Sequence, residues 1–460
     1  MIERRSKDTT VFACLAAFFL CQISATATAE IAATAEIAAT AEIAATDGIA
    51  ATAETILTTT LGNGVTSVVQ ARENCGTFAL QIVAAGGSTA DPEGRAGEAD
   101  LLSRMLLRGT ASLSSAELAR RIEATGSTLT SSAGAASITV SANGPAGAFR
   151  EVFDLVSGAV LAPRLDVYDL AKEVARRRQS LANSRDDPSE ALDRTAAPLI
   201  YGSHPLGRVE PEPERFGEGI TIDDIRSAYE TRIAGRRLAV FVVGGVDPGD
   251  ARARIASAFG TLSAGTPATL PLPAPQPLAR DLRARAKRRT SQPEILVAIP
   301  TAGVSDSDAP AMSLLDQILG GFQERLSYEI REKRGWAYWL GARDVRAPGA
   351  GMFGILTAVP KKHLAETEAI IRAQLARIAT ELPAAEEVER ARRSRTTSLA
   401  RAWQTSEARA QAFADDFVNG RPLRDSEERA ARYAAVTPEA IRDLARRLFR
   451  DAHFAVVTLR

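Results

Sequence analysis

Histidine and cysteine are scarce in this chain, three of each in 460 residues. The histidines are His204, His363 and His453, and no Cys-x-x-Cys or Cys/His ribbon spacing occurs. Neighbouring residues therefore supply neither a zinc ribbon nor a redox motif. Cys14 and Cys21 fall in an N-terminal targeting segment, so its removal leaves Cys75 alone and excludes an intrachain disulfide. Stability must come from apolar cores. An excess of one charge is also missing, with 56 basic against 56 acidic residues. That balance gives no electrostatic footprint for nucleic acid or for an anionic membrane surface. The one strongly apolar run, Val11–Leu20, is too short to cross a bilayer.

That run has the layout of an export signal. Arg4, Arg5 and Lys7 precede it, and small residues follow up to Ala27-Thr-Ala29, a cleavage pattern before Glu30. Residues 1–29 read as a signal peptide, cleaved or kept as an anchor, and the expected destination is the periplasm of a two-membrane bacterium. From Ala29 to about Ala53 the unit Ala-Glu-Ile-Ala-Ala-Thr recurs almost unchanged. Its period fits neither helix nor strand well enough to bury a face, so residues 30–54 read as a low-complexity spacer.

The folded part, from residue 55, opens with β-rich runs on either side of Asn63-Gly64, a hairpin signal. Phe78–Ala85 reads as a further strand. Ser114 and Glu117 form a capping box, residues 127–143 give two strands, and residues 146–200 read as successive helices. Residues 221–244 then align without a gap with residues 437–460. Thr-Ile-Asp-Asp-Ile-Arg matches Thr-Pro-Glu-Ala-Ile-Arg, and Leu238-Ala-Val-Phe-Val-Val matches Phe454-Ala-Val-Val-Thr-Leu. Each copy is an N-capped helix with acids in its first turn, leading into a buried strand. The repeat predicts two similar α+β domains, each an antiparallel-rich sheet packed with helices. They span residues 55–265 and 290–460, with the Pro-rich and then basic stretch 266–289 as linker.

Gly97-Glu-Ala-Asp-Leu-Leu-Ser-Arg-Met-Leu-Leu-Arg-Gly109-Thr110 resembles the active-site helix of the insulinase-type (M16) zinc peptidases, A-H-F-L-E-H-M-L-F-K-G-T. The resemblance runs from about Leu61 to Leu459. It includes Tyr201-Gly-Ser-His-Pro-Leu-Gly-Arg208, Leu315-Asp-Gln-Ile-Leu-Gly-Gly321 and the run Arg325–Tyr338, followed by Gly351-Met-Phe-Gly-Ile355. It implies that the family's two zinc histidines and catalytic glutamate are replaced here by Asp100, Arg104 and Ser103. Matching the third-ligand stretch to Gln179–Pro188 puts Ser180 at that carboxylate position. A guanidinium has only N–H donors and cannot ligate a cation, and a serine hydroxyl is too weak a base near neutral pH. Asp100 and Arg104 stand one helical turn apart in the favourable order, so they either pair in the vacated site or both face solvent. His363-Leu-Ala-Glu366 reads H-x-x-E, but Thr367 follows where the inverted zinc motif needs histidine. No catalytic or metal-binding residue is therefore expected in this chain.

The same resemblance implies a role for Arg331 and Tyr338, which reach substrate across a closed chamber in homologues. An arginine fork and a phenol can hold a peptide carbonyl and steady oxyanion charge. The competing reading puts Arg331 at its own helix C-terminus and Tyr338 in the core. Trp336 and Trp339 either line a peptide cleft or pack internally. Arg176-Arg-Arg178 and the arginine-rich helix Glu386–Arg401 read as solvated faces rather than anion sites. The implied protein is a non-catalytic subunit of a heterodimeric zinc peptidase. It has no cofactor of its own, zinc in an M16 partner, peptide as substrate, no nucleic acid and no membrane span after signal removal. The alternative is a structural or peptide-binding protein of the same fold.

Overall fold

The computed structural model describes residues 56–460 apart from 287–289, 291 and 304. The signal segment 1–29 and the spacer 30–54 lie outside the described residues. In the first half, β1 (Ile56–Thr60) and β2 (Thr66–Ala71) form the expected hairpin around Asn63. The Asn63 amide fixes that turn by donating to the carbonyls of Phe259 and Leu262 at 2.8 and 2.9 Å. Next come β3 (Thr77–Ala85), α1 (Glu98–Met105), α2 (Ser115–Ala124), β4 (Thr128–Ala133) and β5 (Ser137–Pro145). The long helices α3 (Phe149–Leu161), α4 (Val167–Asn183) and α5 (Pro188–Tyr201) follow. The half closes with α6 (Ile222–Arg232), β6 (Leu238–Gly244) and α7 (Pro248–Phe259). Ser114 caps α2 in a capping box with Glu117, as expected, and Thr221 caps α6 in the same way with Asp224.

The second half contains β7 (Leu282–Ala286), β8 (Glu294–Thr301), α8 (Ala309–Gly320), β9 (Leu340–Ala347) and β10 (Ala350–Ala358). It continues through α9 (Leu364–Thr380), α10 (Ala385–Ala402), α11 (Ser406–Val418) and α12 (Ser426–Ala434) to α13 (Pro438–Phe449) and β11 (Ala455–Leu459). β7 lies inside the 266–289 stretch read as linker. In Leu282-Arg-Ala-Arg-Ala the period-2 alternation outweighs the basic charge, and β7 becomes the edge strand of the second sheet. Among the described residues no helix is long and apolar enough to cross a membrane.

The internal repeat reappears as matching topology. The first sheet has the order β1-β2-β6-β3-β5-β4 and the second β7-β11-β8-β10-β9. β6 is parallel to β2 and antiparallel to β3, and β11 is parallel to β7 and antiparallel to β8. The helix before each of these central strands is capped by the equivalent threonine, Thr221 or Thr437. Both central strands are almost wholly buried, which accounts for their unbroken apolar sequence.

Each sheet buries one face against helices of its own half. Phe78, Leu80, Ile82 and Val240 meet α1, α3 and α6 in the first half, and Val297, Phe353 and Ile355 meet α8, α9 and α13 in the second. The opposite faces are covered by an exchange of helices. Ala410, Phe413 and Ala414 of α11, from the second half, pack on Val68, Val83, Ala239 and Phe241 of the first sheet. Ala191, Leu192, Ala196 and Ile200 of α5, from the first half, pack on Leu296, Ala298, Met352 and Val457 of the second. The repeat units are therefore interlocked, since neither sheet is covered on both faces by its own half.

Candidate functional site

Helix α1 is held at its N-terminus by a buried ionic knot. The Asp91 carboxylate accepts from the Gly97 and Ala99 amides at 2.9 and 3.0 Å, satisfying donors that the first helical turn leaves open. Arg232 of α6 bonds Asp91 at 3.0 Å and Glu98 at 3.2 Å, and Arg208 donates to the Asp91 carbonyl at 2.6 Å. Burial pushes the Asp91 and Glu98 carboxyls above their ordinary range, against the opposing pull of Arg232. Gly97, at φ +101°, is required by packing as well as by backbone, because a Cβ there would lie 2.5 Å from the Phe216 ring. The loop Tyr201–Arg208 buttresses this end. His204 Nδ1 accepts from the Leu206 amide at 3.1 Å, and its Nε2 lies 2.8 Å from the Pro273 carbonyl.

The vacated catalytic positions hold a guanidinium–carboxylate network. Arg104 Nε donates to Asp100 Oδ2 at 2.8 Å, so the two residues pair across one turn of α1. That hydrogen bond, with the nearby charges of Asp100, Glu173 and Glu210, raises the Arg104 pKa above its ordinary value despite partial burial. From α4, Arg177 Nε lies 3.5 Å from the same Asp100 oxygen, and Arg177 also pairs with Glu210. Glu173, fully enclosed, accepts a hydrogen bond from Arg176 and forms an ion pair with Arg108, each at 2.7 Å. The Ser103 hydroxyl is buried and donates to the Asp100 carbonyl of its own helix at 2.8 Å. Ser180 is exposed on α4.

This donor set does not fit a zinc ion. Asp100 is the one anionic side chain among the four replaced positions, and two arginines already share its carboxylate. Arg104 puts a fixed positive charge where a ligand lone pair is needed. Among the described residues no group of three or more His, Cys, Asp or Glu side chains is arranged to hold a metal. His363 stacks on Trp336 with ring centroids 3.9 Å apart, and Thr367 is buried within its helix, so the H-x-x-E tetrad is a packing feature. Arg108, Glu173, Arg177 and Glu210 carried no signal as a group, because they come together only where α4 packs on α1 and on the segment that carries Glu210.

Arg331 and Tyr338 lie at a second location, the N-terminal end of edge strand β9. Arg331 sits in a single π-helical turn, Tyr328–Glu332. It does not cap that turn. Its Nε donates to Glu332 at 2.8 Å, its Nη2 donates to the Phe322 carbonyl at 3.0 Å, and the guanidinium carbon stands 3.7 Å from the Phe322 ring centroid. Tyr338 is not a core residue either. It lies in a bend two residues before β9 and is 85% exposed. Trp339 is 40% exposed, whereas Trp336 packs on the second core. Both residues precede β9 in the chain, and among the described residues no hydrogen bond joins them.

The arginine-rich helices are tied into the protein rather than simply solvated. Arg178 donates to the Phe216 carbonyl at 2.9 Å. On α10, Arg390 bonds Glu324 at 3.0 Å, and Arg395 bonds Asp316 of α8.

Two interlocked α+β halves, with a degenerate metal-site helix packed on the first sheet, define an M16-type peptidase fold. Residues 67–209 match the insulinase (peptidase family M16) model, and residues 219–395 match the peptidase M16 inactive domain. The chain belongs to the M16 peptidase family. It is 25% identical over 399 residues to an uncharacterized zinc protease of Streptomyces coelicolor, covering 85% of this chain and 87% of that protein. A second uncharacterized zinc protease, from Mycobacterium leprae, is 26% identical over 328 residues, covering 70% and 74% of the respective chains. In fold the chain is similar to a peptidase M16 inactive domain from Pseudomonas fluorescens, with a TM-score of 0.80, 21% identity and coverage of 88% and 97%. A protease from Helicobacter pylori gives a TM-score of 0.78 at 18% identity, covering 88% and 99%.

Proposed function

We propose that this chain is the exported, non-catalytic subunit of a heterodimeric M16 zinc peptidase, working in the periplasm. Its partner supplies the zinc, the water-activating glutamate and the bond-breaking step. This chain supplies Arg331 to hold a peptide carbonyl and the Tyr338 phenol as a donor to developing oxyanion charge. One contrast carries the reading. The replaced zinc positions are closed by carboxylate–guanidinium pairing, while Tyr338 stays exposed and Arg331 keeps Nη1 free of any partner among the described residues. A phenol kept for packing would be buried, and this one is turned to solvent.

The sheet edges support a peptide as substrate. β4 and β9 each pair on one side only, so both offer open backbone donors and acceptors to an extended chain. β9 leads directly away from Tyr338 and Trp339. Two measurements test the proposal together. The mature chain should purify without stoichiometric zinc and without peptidase activity. Affinity capture from periplasmic extract should recover an M16 subunit with an intact H-x-x-E-H helix. Recovery of the chain alone, with one tightly held zinc and chelator-sensitive cleavage, would overturn it.

A further inference from the structure

Among the described residues eight large apolar or aromatic side chains are exposed, and Phe322, Tyr328, Tyr338 and Trp339 make up half of them. All four flank the same stretch of chain. Gly320, the last residue of α8, packs so closely on β9 that a Cβ there would lie 2.4 Å from the Ala342 amide nitrogen, which holds the end of that helix against the start of the strand. Thr357 of β10 fastens the other side by donating to the Trp339 carbonyl at 2.7 Å. The Phe322 ring covers one face of the Arg331 guanidinium while remaining 71% exposed itself. A loop aromatic normally turns inward, because removing its apolar surface from water is favourable. This one is spent on an arginine.

Arg331 is thereby fixed in direction. Glu332 and the Phe322 carbonyl occupy Nε and Nη2, leaving the two Nη1 donors for a carbonyl or carboxylate. Beside them stands the open outer face of the Phe322 ring. We infer that Phe322 is a positioning residue for Arg331 and also an apolar subsite, selecting peptides with an aromatic or large aliphatic side chain next to the carbonyl that Arg331 holds. This rests on the peptide-binding role proposed above and adds a side-chain class to it.

The test uses the full mature chain and two fluorescein-labelled decapeptides of Ala, Gly and Ser, one with a single central Phe and the other with Ala in its place. Fluorescence anisotropy should show the Phe peptide binding more tightly. Phe322→Ala should weaken that peptide by roughly tenfold and bring the ratio of the two affinities near one, while Phe322→Tyr restores the ratio. Arg331→Ala should weaken both peptides together. Unchanged circular dichroism excludes misfolding as the cause. A Phe322→Ala variant that binds both peptides with the wild-type ratio overturns the assignment and leaves peptide binding standing. Wild-type chain that binds neither peptide at millimolar concentration overturns the assignment and the peptide-binding role together.

Discussion

Arg104 Nε stands 2.8 Å from Asp100 Oδ2, so the positions of two metal-binding histidines in related peptidases are here joined to each other. Arg177 reaches the same carboxylate from the facing helix. The positive charge a metal would bring is supplied by fixed guanidinium groups. Partly buried pairs of this kind lose more when one member is removed than the intact pair contributes, because the other charge is left without its partner.

Reverting this helix one residue at a time should therefore fail. Arg104→His removes the partner of Asp100 and leaves Ser103 and Ser180 unchanged, so the variant should purify with no bound zinc and no activity. Zinc content by plasma mass spectrometry checks this. Asp100→His, Ser103→Glu and Arg104→His need a carboxylate from α4 as well, and because Arg177 rather than the exposed Ser180 faces Asp100, these three with Arg177→Glu are the smallest set expected to take up metal. One zinc per chain in the single variant would mean that the helix has been aligned wrongly.

The exchange of α5 and α11 predicts that the halves do not separate. Phe413→Ala, in the second half, removes a ring packed under the first sheet and should destabilise the protein by about 3–5 kcal/mol. Hydrogen exchange should quicken in β3 and β6 of the first half. Residues 56–265 expressed alone should aggregate, because Val68, Val83, Ala239 and Phe241 lose their cover. A soluble, cooperatively folding fragment would contradict the interlock.

Glu368 gives a pH signature in the second half. Burial raises its pKa, but hydrogen bonds from Arg283 and Arg372 outweigh burial and hold it below the ordinary 4.5. For a carboxylate depressed on folding, the stabilisation is complete above the unfolded pKa and is lost as pH falls through the folded one. Glu368→Gln should therefore cost about 1–2 kcal/mol near pH 7. The gap to wild type should close progressively below about pH 4.5. Urea melts from pH 3 to 7 measure it, and a gap that persists at pH 3 would assign the loss to packing.

Local chemistry made much of the fold legible in the sequence. The Asn63-Gly64 turn, the Ser114 capping box and the paired threonine caps at Thr221 and Thr437 are all signals within a few residues, and all appear where expected. The helix exchange left no such trace, because the apolar face of α5 or α11 does not say which sheet it meets. The strand at Leu282–Ala286 was hidden in a basic run whose arginines alternate outward. At the candidate site Asp100, Ser103 and Arg104 could be read directly on one helix, whereas the α4 residue that meets Asp100 is Arg177 and not Ser180, which is exposed. The role of Phe322 could not be read from the sequence. It stands nine positions before Arg331, and only the fold of the chain beyond α8 brings ring and guanidinium together.

The most direct test of the central claim mixes this chain with a zinc-bearing M16 subunit from the same organism and measures peptide turnover. Turnover should rise well above that of the partner alone. Tyr338→Phe, which removes one exposed hydroxyl and almost no packing, should lower kcat in the mixture by about 10²–10³ without dissociating the complex. Arg331→Ala should act chiefly through KM if it holds the ground-state carbonyl and through kcat if it meets the oxyanion. Variants that assemble with the partner and turn over peptide like wild type would contradict the account and leave the chain a structural protein of the M16 fold.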